Sequence, residues 1–307
     1  MTIRRTLRKT LLFTAALTVA LSGVATAQAE TTTPERQLLF FNHSYGVLDR
    51  ETADAIEHSA YLRDFASFEV RTTTGSGGEK WTGRYLRGRE TYLELFGVGD
   101  VAGQDGTLGA AGMGVSVERS GDLATVADRL KDEGVTPLKF LQTRDFGDGV
   151  PVPWFDAVFT TEKYDGFGAW GMEYRPEYFA DARSKTEPAR FPGDVGRERY
   201  LNNDYRDHQM RDVAGIHLAV TEGDLASTVP LLKAGGFAVR TVPGGVVATR
   251  GGTTIRFEAV PRAAAGLRQV ELTLNRPVAG RHEERIGHST LVVGPGFRAV
   301  WTFPANG

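Results

Sequence analysis

VAGIHLAVTEGDLASTVPLLKAGGFAVRTVPGGVVATRGGTTIRFEAV, residues 213–260, reads as one strand–helix–three-strand unit. Successive side chains of a strand alternate sides, so residues two apart share a face. Across 213–221, Ile216, Leu218 and Val220 point one way and His217, Ala219 and Thr221 the other. Residues 223–234 follow as a helix, and 238–241, 245–249 and 253–260 as strands. In the last strand Ile255, Phe257 and Ala259 pack toward the helix, while Thr254, Arg256 and Glu258 face away. His217 and Glu258 therefore fall on the face that should line a cavity.

Working outward, the same pattern recurs. The first unit opens at residues 37–47, continues through a helix at 50–61, and closes with strands at 67–73, 80–86 and 91–97. The second has a strand at 111–117 and an amphipathic helix at 121–133, with Leu123, Val126, Ala127 and Leu130 at i, i+3, i+4 and i+7. Its strands fall at 139–145, 154–160 and 168–174. A fourth, reduced unit has strands at 267–275, 287–293 and 297–303, but 276–285 cannot supply a full helix. Residues 175–211 are polar, rich in Pro, Gly, Asp and Arg, and long for a loop inside a domain. The expectation is an α+β fold of repeated βαβββ units, paired into two half-open barrels. One domain spans 30–174, a connection 175–211, and a smaller second domain 212–307. One continuous α+β domain is the alternative.

The N-terminus reads as an export signal. Arg4, Arg5, Arg8 and Lys9 form a positive region, 11–24 is an uncharged apolar run, and Ala27-Gln28-Ala29 offers small residues for cleavage. About 20 apolar residues are needed to span a membrane, and this run is shorter. Arg4-Arg5 resembles a twin-arginine signal. The reading is a signal peptide over 1–29, a secreted or cell-envelope protein, and no membrane contact after cleavage. Without the four signal bases, the 36 basic residues of the chain fall to 32 against 38 acidic, near −6. That balance argues against nucleic acid or an anionic membrane as partner. With no cysteine, the chain has no thiolate metal site, catalytic thiol or disulfide.

Parity also sorts the first two units. Tyr92, Glu94 and Phe96 oppose Leu93 and Leu95; Trp170, Met172 and Tyr174 oppose Gly171, Glu173 and Arg175. His43 sits in the opening strand as His217 does, whereas the second unit opens with Gly112-Met113-Gly114 and no ligand. His43, Glu94 within Tyr-Leu-Glu-Leu-Phe, and His217 with Glu258 resemble the vicinal-oxygen-chelate superfamily, which includes glyoxalase I, extradiol dioxygenases, fosfomycin-resistance enzymes and bleomycin-binding proteins. Asn-His-Ser-Tyr-Gly-Val-Leu-Asp, Trp-Thr-Gly-Arg-Tyr and Trp-Gly-Met-Glu-Tyr are similar to an uncharacterised bacterial family of unknown function.

The resemblance implies glyoxalase-like half-barrels and one divalent metal held by His43, Glu94 and Glu173, with Zn, Ni, Mn, Fe or Mg all suited to such ligands. It implies a second set in His217, Glu258 and Glu271. The metal would polarise a small oxygenated molecule, with Glu94 or Glu173 as catalytic base, in a lyase, isomerase or dioxygenase reaction. Tyr45, Trp81, Tyr85 and Tyr92 would wall the substrate pocket. The resemblance equally admits a non-catalytic protein that sequesters a small molecule, as bleomycin-binding relatives do. Plainer readings of the same residues stand beside these: Arg175 and Arg256 lie two positions from Glu173 and Glu258 as ion-pair partners, and strand aromatics commonly fill a core. His282, Glu283 and His288 lack the i, i+4 spacing of a helical zinc site, and no nucleophile elbow or phosphate loop is present.

Overall fold

The computed structural model describes residues 36–306; the export signal read at 1–29 lies outside the described residues. The first unit comprises β1 (Phe40–Leu48), α1 (Arg50–His58), α2 (Ala60–Phe65), β2 (Ser67–Thr74), β3 (Lys80–Arg87) and β4 (Tyr92–Gly97). The single helix expected at 50–61 is two. Asp49 accepts from the Thr52 amide to start α1, and Ser59, in extended conformation, accepts from the Leu62 amide to start α2. The second unit is β5 (Ala111–Ser116), α3 (Asp122–Asp132), β6 (Leu138–Arg144), β7 (Val152–Phe159) and β8 (Phe167–Tyr174).

These strands make one curled sheet in the order β2-β3-β4-β1-β5-β8-β7-β6. The units join through antiparallel pairing of β1 with β5, while β1–β4 and β5–β8 are parallel. Curling is strong enough for the two edges to meet at one end. Thr74 bridges Asp145, and Ser76 Oγ accepts from the Thr143 amide at 2.9 Å.

The connection carries two short helices, α4 (Pro176–Ala180) and α5 (Arg197–Tyr200). It is packed rather than loose. Arg197 is buried and donates to the Phe41 carbonyl (2.5 Å), to Glu118 (2.6 Å) and to Glu90 (3.3 Å). Tyr200 stacks on Tyr174, with ring centroids 4.1 Å apart.

β9 (Met210–Val220), α6 (Glu222–Ala234), β10 (Ala238–Val242), β11 (Gly245–Arg250) and β12 (Thr253–Ala259) form the third unit. The fourth consists of β13 (Gly266–Val278), β14 (His282–Ile286), β15 (Ser289–Val293) and β16 (Gly296–Thr302). The second sheet repeats the order of the first, β10-β11-β12-β9-β13-β16-β15-β14. The fourth unit has no helix: β13 leads directly to β14, which holds the place of β6 and hairpins onto β15.

The helix-bearing convex faces of both sheets share one core. A Cβ built on Gly171 of β8 would touch Leu123 of α3, Leu231 of α6 and Leu39 at 3.3–3.5 Å. Two carboxylates, Asp224 buried and Asp212 half-buried, pin the sheets together. Asp224 of α6 accepts from the Asp165 and Phe167 amides (2.7 and 3.1 Å), and Asp212 of β9 from the Glu90 and Thr91 amides (2.8 and 3.1 Å). The two concave faces are left free of that core. Among the described residues no helix is long and apolar enough to cross a membrane.

Candidate functional site

The concave face of the first sheet encloses a cavity of about 320 Å3. Strand alternation builds its walls: His43 and Tyr45 from β1, Trp81 and Tyr85 from β3, Tyr92, Glu94 and Phe96 from β4, and Trp170 from β8 all line it. Glycines of β5 make room for the histidine. Gly114 is the register partner of His43, and a Cβ there would lie 2.5 Å from its ring; Gly112 leaves the same space for Tyr45. The Gly-Met-Gly run that offers no ligand therefore supplies the volume into which β1 side chains lean.

His43 is buried, stacked on Tyr92 at 4.4 Å between centroids and edge-on to Trp170 at 5.4 Å. Its Nδ1 is 2.8 Å from Asn42 Oδ1. The Asn42 amide nitrogen donates to Ser116 Oγ (2.9 Å) and Tyr174 Oη (3.2 Å), which turns the amide oxygen toward the imidazole. The ring proton therefore sits on Nδ1, and Nε2 presents a lone pair. Burial pushes the His43 pKa down to about 3, so the ring is neutral at pH 7.

Glu94 is also buried. One carboxylate oxygen accepts from the Tyr85 hydroxyl through a short hydrogen bond and from Trp81 Nε1 at 3.2 Å. The other oxygen has no protein partner among the described residues. Burial raises its pKa, opposed by the Tyr85 hydrogen bond and the nearby Arg71. Arg71 lies over the Tyr85 ring at 4.4 Å. Farther along the wall, Tyr164 donates to both oxygens of Asp105 (2.9 and 3.0 Å), and burial raises the Asp105 pKa.

His43, Glu94, Tyr45, Trp81, Tyr85 and Tyr92 thus come together in one cavity. Glu173 does not join them. On β8 the cavity face carries Gly168 and Trp170, so Glu173 lies on the convex side. There it accepts from the Gly121 amide at 2.9 Å and the Leu123 amide at 3.3 Å. Gly121 is the N-cap of α3 and has no side chain to offer, and Glu173 supplies the missing acceptor. Its place as third metal ligand and as catalytic base is corrected accordingly. Arg175, its suggested partner, pairs instead with Asp156 and Glu177.

The second set comes together only in part, with His217 and Glu271 lining one hollow of the second sheet. His217 Nε2 is 3.3 Å from Glu258 Oε2. Glu271 is exposed and accepts from Gln269 at 3.4 Å. Burial and the neighbouring Arg256 lower the His217 pKa, against the pull of Glu258. Among the described residues no three His, Cys, Asp or Glu side chains are grouped to hold a metal ion. A divalent metal between His43 and Glu94 would find one imidazole nitrogen and one carboxylate, with Asp105 farther along the wall and Gly112, Gly114 and Trp170 where the second unit would have to add donors. The residues present do not fit it.

Sequence reasoning missed Trp154, Phe159, Tyr164 and Asp105 as parts of the wall. Asp105 sits in a 3-10 turn and Tyr164 in a loop, where alternation carries no signal. Trp170 was visible by parity, but its face was not recognised as the cavity side.

Comparison with known proteins bears on the fold. A hypothetical protein from Staphylococcus aureus superposes with TM-score 0.50 and 9% identity, covering 84% of this chain and 99% of its own. The 2,3-dioxygenase LapB from Pseudomonas sp. KL28 gives TM-score 0.42 and 13% identity over 85% and 91% of the two chains. A Mn(II)-bound glyoxalase from Novosphingobium aromaticivorans gives 0.37 and 10% over 85% and 81%. No curated protein matches the sequence. The family model that matches covers residues 41–303, nearly the whole described chain, and on that match the protein belongs to the family of unknown function DUF5829.

Proposed function

We propose that this protein binds a small, largely apolar molecule in the cavity of the first sheet, using its own side chains and no metal. The observation that carries the reading is the cavity itself. Its wall is mostly aromatic, and two polar atoms are left open to a ligand at its depth: the His43 Nε2 lone pair and one free Glu94 oxygen. A mainly apolar pocket with a small number of placed polar groups is the general form of a small-molecule site. Release of water from the aromatic walls favours a ligand. The metal-enzyme reading required three donors in one place, and among the described residues no three are grouped. Export after Ala29 belongs to the same proposal and rests on the N-terminal sequence alone.

Gly168 provides the test. It lines the cavity, its backbone suits any residue, and a Cβ there meets nothing within 4 Å. Gly168→Leu should fold normally, keep or slightly raise its melting temperature, and weaken ligand binding roughly a hundredfold or more by filling the space. Trp81, Trp154 and Trp170 line the cavity, so intrinsic fluorescence reports occupancy. Unchanged binding in Gly168→Leu would move the site elsewhere.

A further inference from the structure

We infer that the ligand is an organic cation, a protonated amine on an aromatic or alkyl body, whose N–H groups are accepted by His43 and Glu94. The assignment deepens the binding reading above and rests on it. Two unpartnered acceptors open onto the deep cavity, His43 Nε2 and one Glu94 oxygen, while the unpartnered Nε1 donors of Trp154 and Trp170 are shut away from its surface. Asn42 fixes the first: with its oxygen facing Nδ1, the imidazole has no proton to offer at Nε2. Tyr85 and Trp81 fix the second, because both donate to the same Glu94 oxygen and leave the other for the ligand. A ligand that also brought only acceptors would face two lone pairs without a proton between them.

The spacing suits one extended group. Tyr45, not His43, is the register partner of Glu94, so the two acceptors stem from adjacent strands, offset by two residues. Their Cα atoms are then roughly 8 Å apart from ordinary strand dimensions. The surroundings favour positive charge over a neutral donor. Rings of Tyr45, Phe96 and Trp170 line the space, and π faces attract ammonium groups. Asp105 adds a second carboxyl group to the wall. The one guanidinium of the lining, Arg71, lies over Tyr85, donates to Thr73 (3.2 Å) and Glu69 (3.4 Å), and makes no hydrogen bond to Glu94, though its charge favours the Glu94 carboxylate.

Fluorescence titration of the full protein with three near-isosteric probes decides it: 2-phenylethylammonium, 2-phenylethanol and phenylacetate at pH 7. The expected result is at least about tenfold tighter binding of the ammonium than of the alcohol, with no measurable binding of the carboxylate. Glu94→Gln, which keeps an oxygen for Tyr85 and Trp81, should shrink that preference to about twofold while the alcohol still binds. Carboxylate binding as tight as ammonium binding, or a preference that survives Glu94→Gln, overturns the cation assignment. Binding of the alcohol alone, lost in Gly168→Leu, overturns it too and leaves the cavity reading standing. If none of the three binds, both fail.

Discussion

Between pH 7 and pH 4 the wild-type protein should lose about 3 kcal/mol more stability than a His43→Phe variant. His43 is buried and neutral in the fold, with its pKa lowered to about 3 from an ordinary 6.5. In that window the unfolded chain takes up a proton that the folded chain refuses, so the unfolded state gains. The stability is fully present above about pH 6.5 and drains away as the pH falls toward 3. Phenylalanine keeps a ring between Tyr92 and Trp170 and cannot titrate. It leaves the Asn42 oxygen without its donor, but that cost does not change with pH. The raised carboxyl of Glu94 works in the opposite sense above its ordinary pKa and is common to both proteins, so it cancels. Chemical denaturation of both proteins at pH 7, 5 and 4 measures the difference. Parallel pH profiles would mean that His43 is solvated and that the cavity is not built as described.

Tyr200→Ala should cost about 2 to 3 kcal/mol and weaken ligand binding, although Tyr200 does not line the cavity. Its ring is stacked on Tyr174 and tilted against Tyr92 at 6.3 Å, and Tyr92 in turn stacks on His43. Removing it leaves a void behind the wall that holds the imidazole. The helix that carries Tyr200 is anchored independently by Arg197, so the segment should stay in place and the loss should be local. A binding defect matched by a heat-induced melting shift fits this account. A variant with wild-type affinity would show that the connection merely covers the sheet.

How far the sequence alone reached follows from which forces act locally. Period-two alternation placed Tyr92, Glu94 and Phe96 on one face of β4, and the structure puts all three in the cavity. The same alternation separated Trp170 from Glu173, but alternation says nothing about which face is concave. A carboxylate on a sheet looked like a site because burying it unpaired is costly. Its partners are amides at the start of α3, about fifty residues earlier in the chain, and only the fold brings them within reach. β14 escaped reading because His-Glu-Glu-Arg-Ile has no apolar alternation; its pairing with β15 is set by the neighbouring hairpin. Residues 175–211 lacked periodicity for a related reason. Arg197 and Tyr200 hold that segment to the sheet through an ion pair, a carbonyl contact and ring stacking, and Asp194 braces it internally on the Arg190 and Gly196 amides, rather than through an amphipathic face.

The central claim is a ligand site formed by the protein's own side chains in the first sheet. Its most direct test is the affinity for the tightest-binding probe, measured on one preparation by intrinsic tryptophan fluorescence before and after exhaustive chelation, with metal content determined on the same samples. The account predicts one binding event with an affinity unchanged within about twofold by chelation, since no step of recognition passes through a metal. Binding that disappears with the chelator and returns with one equivalent of a divalent metal would contradict it.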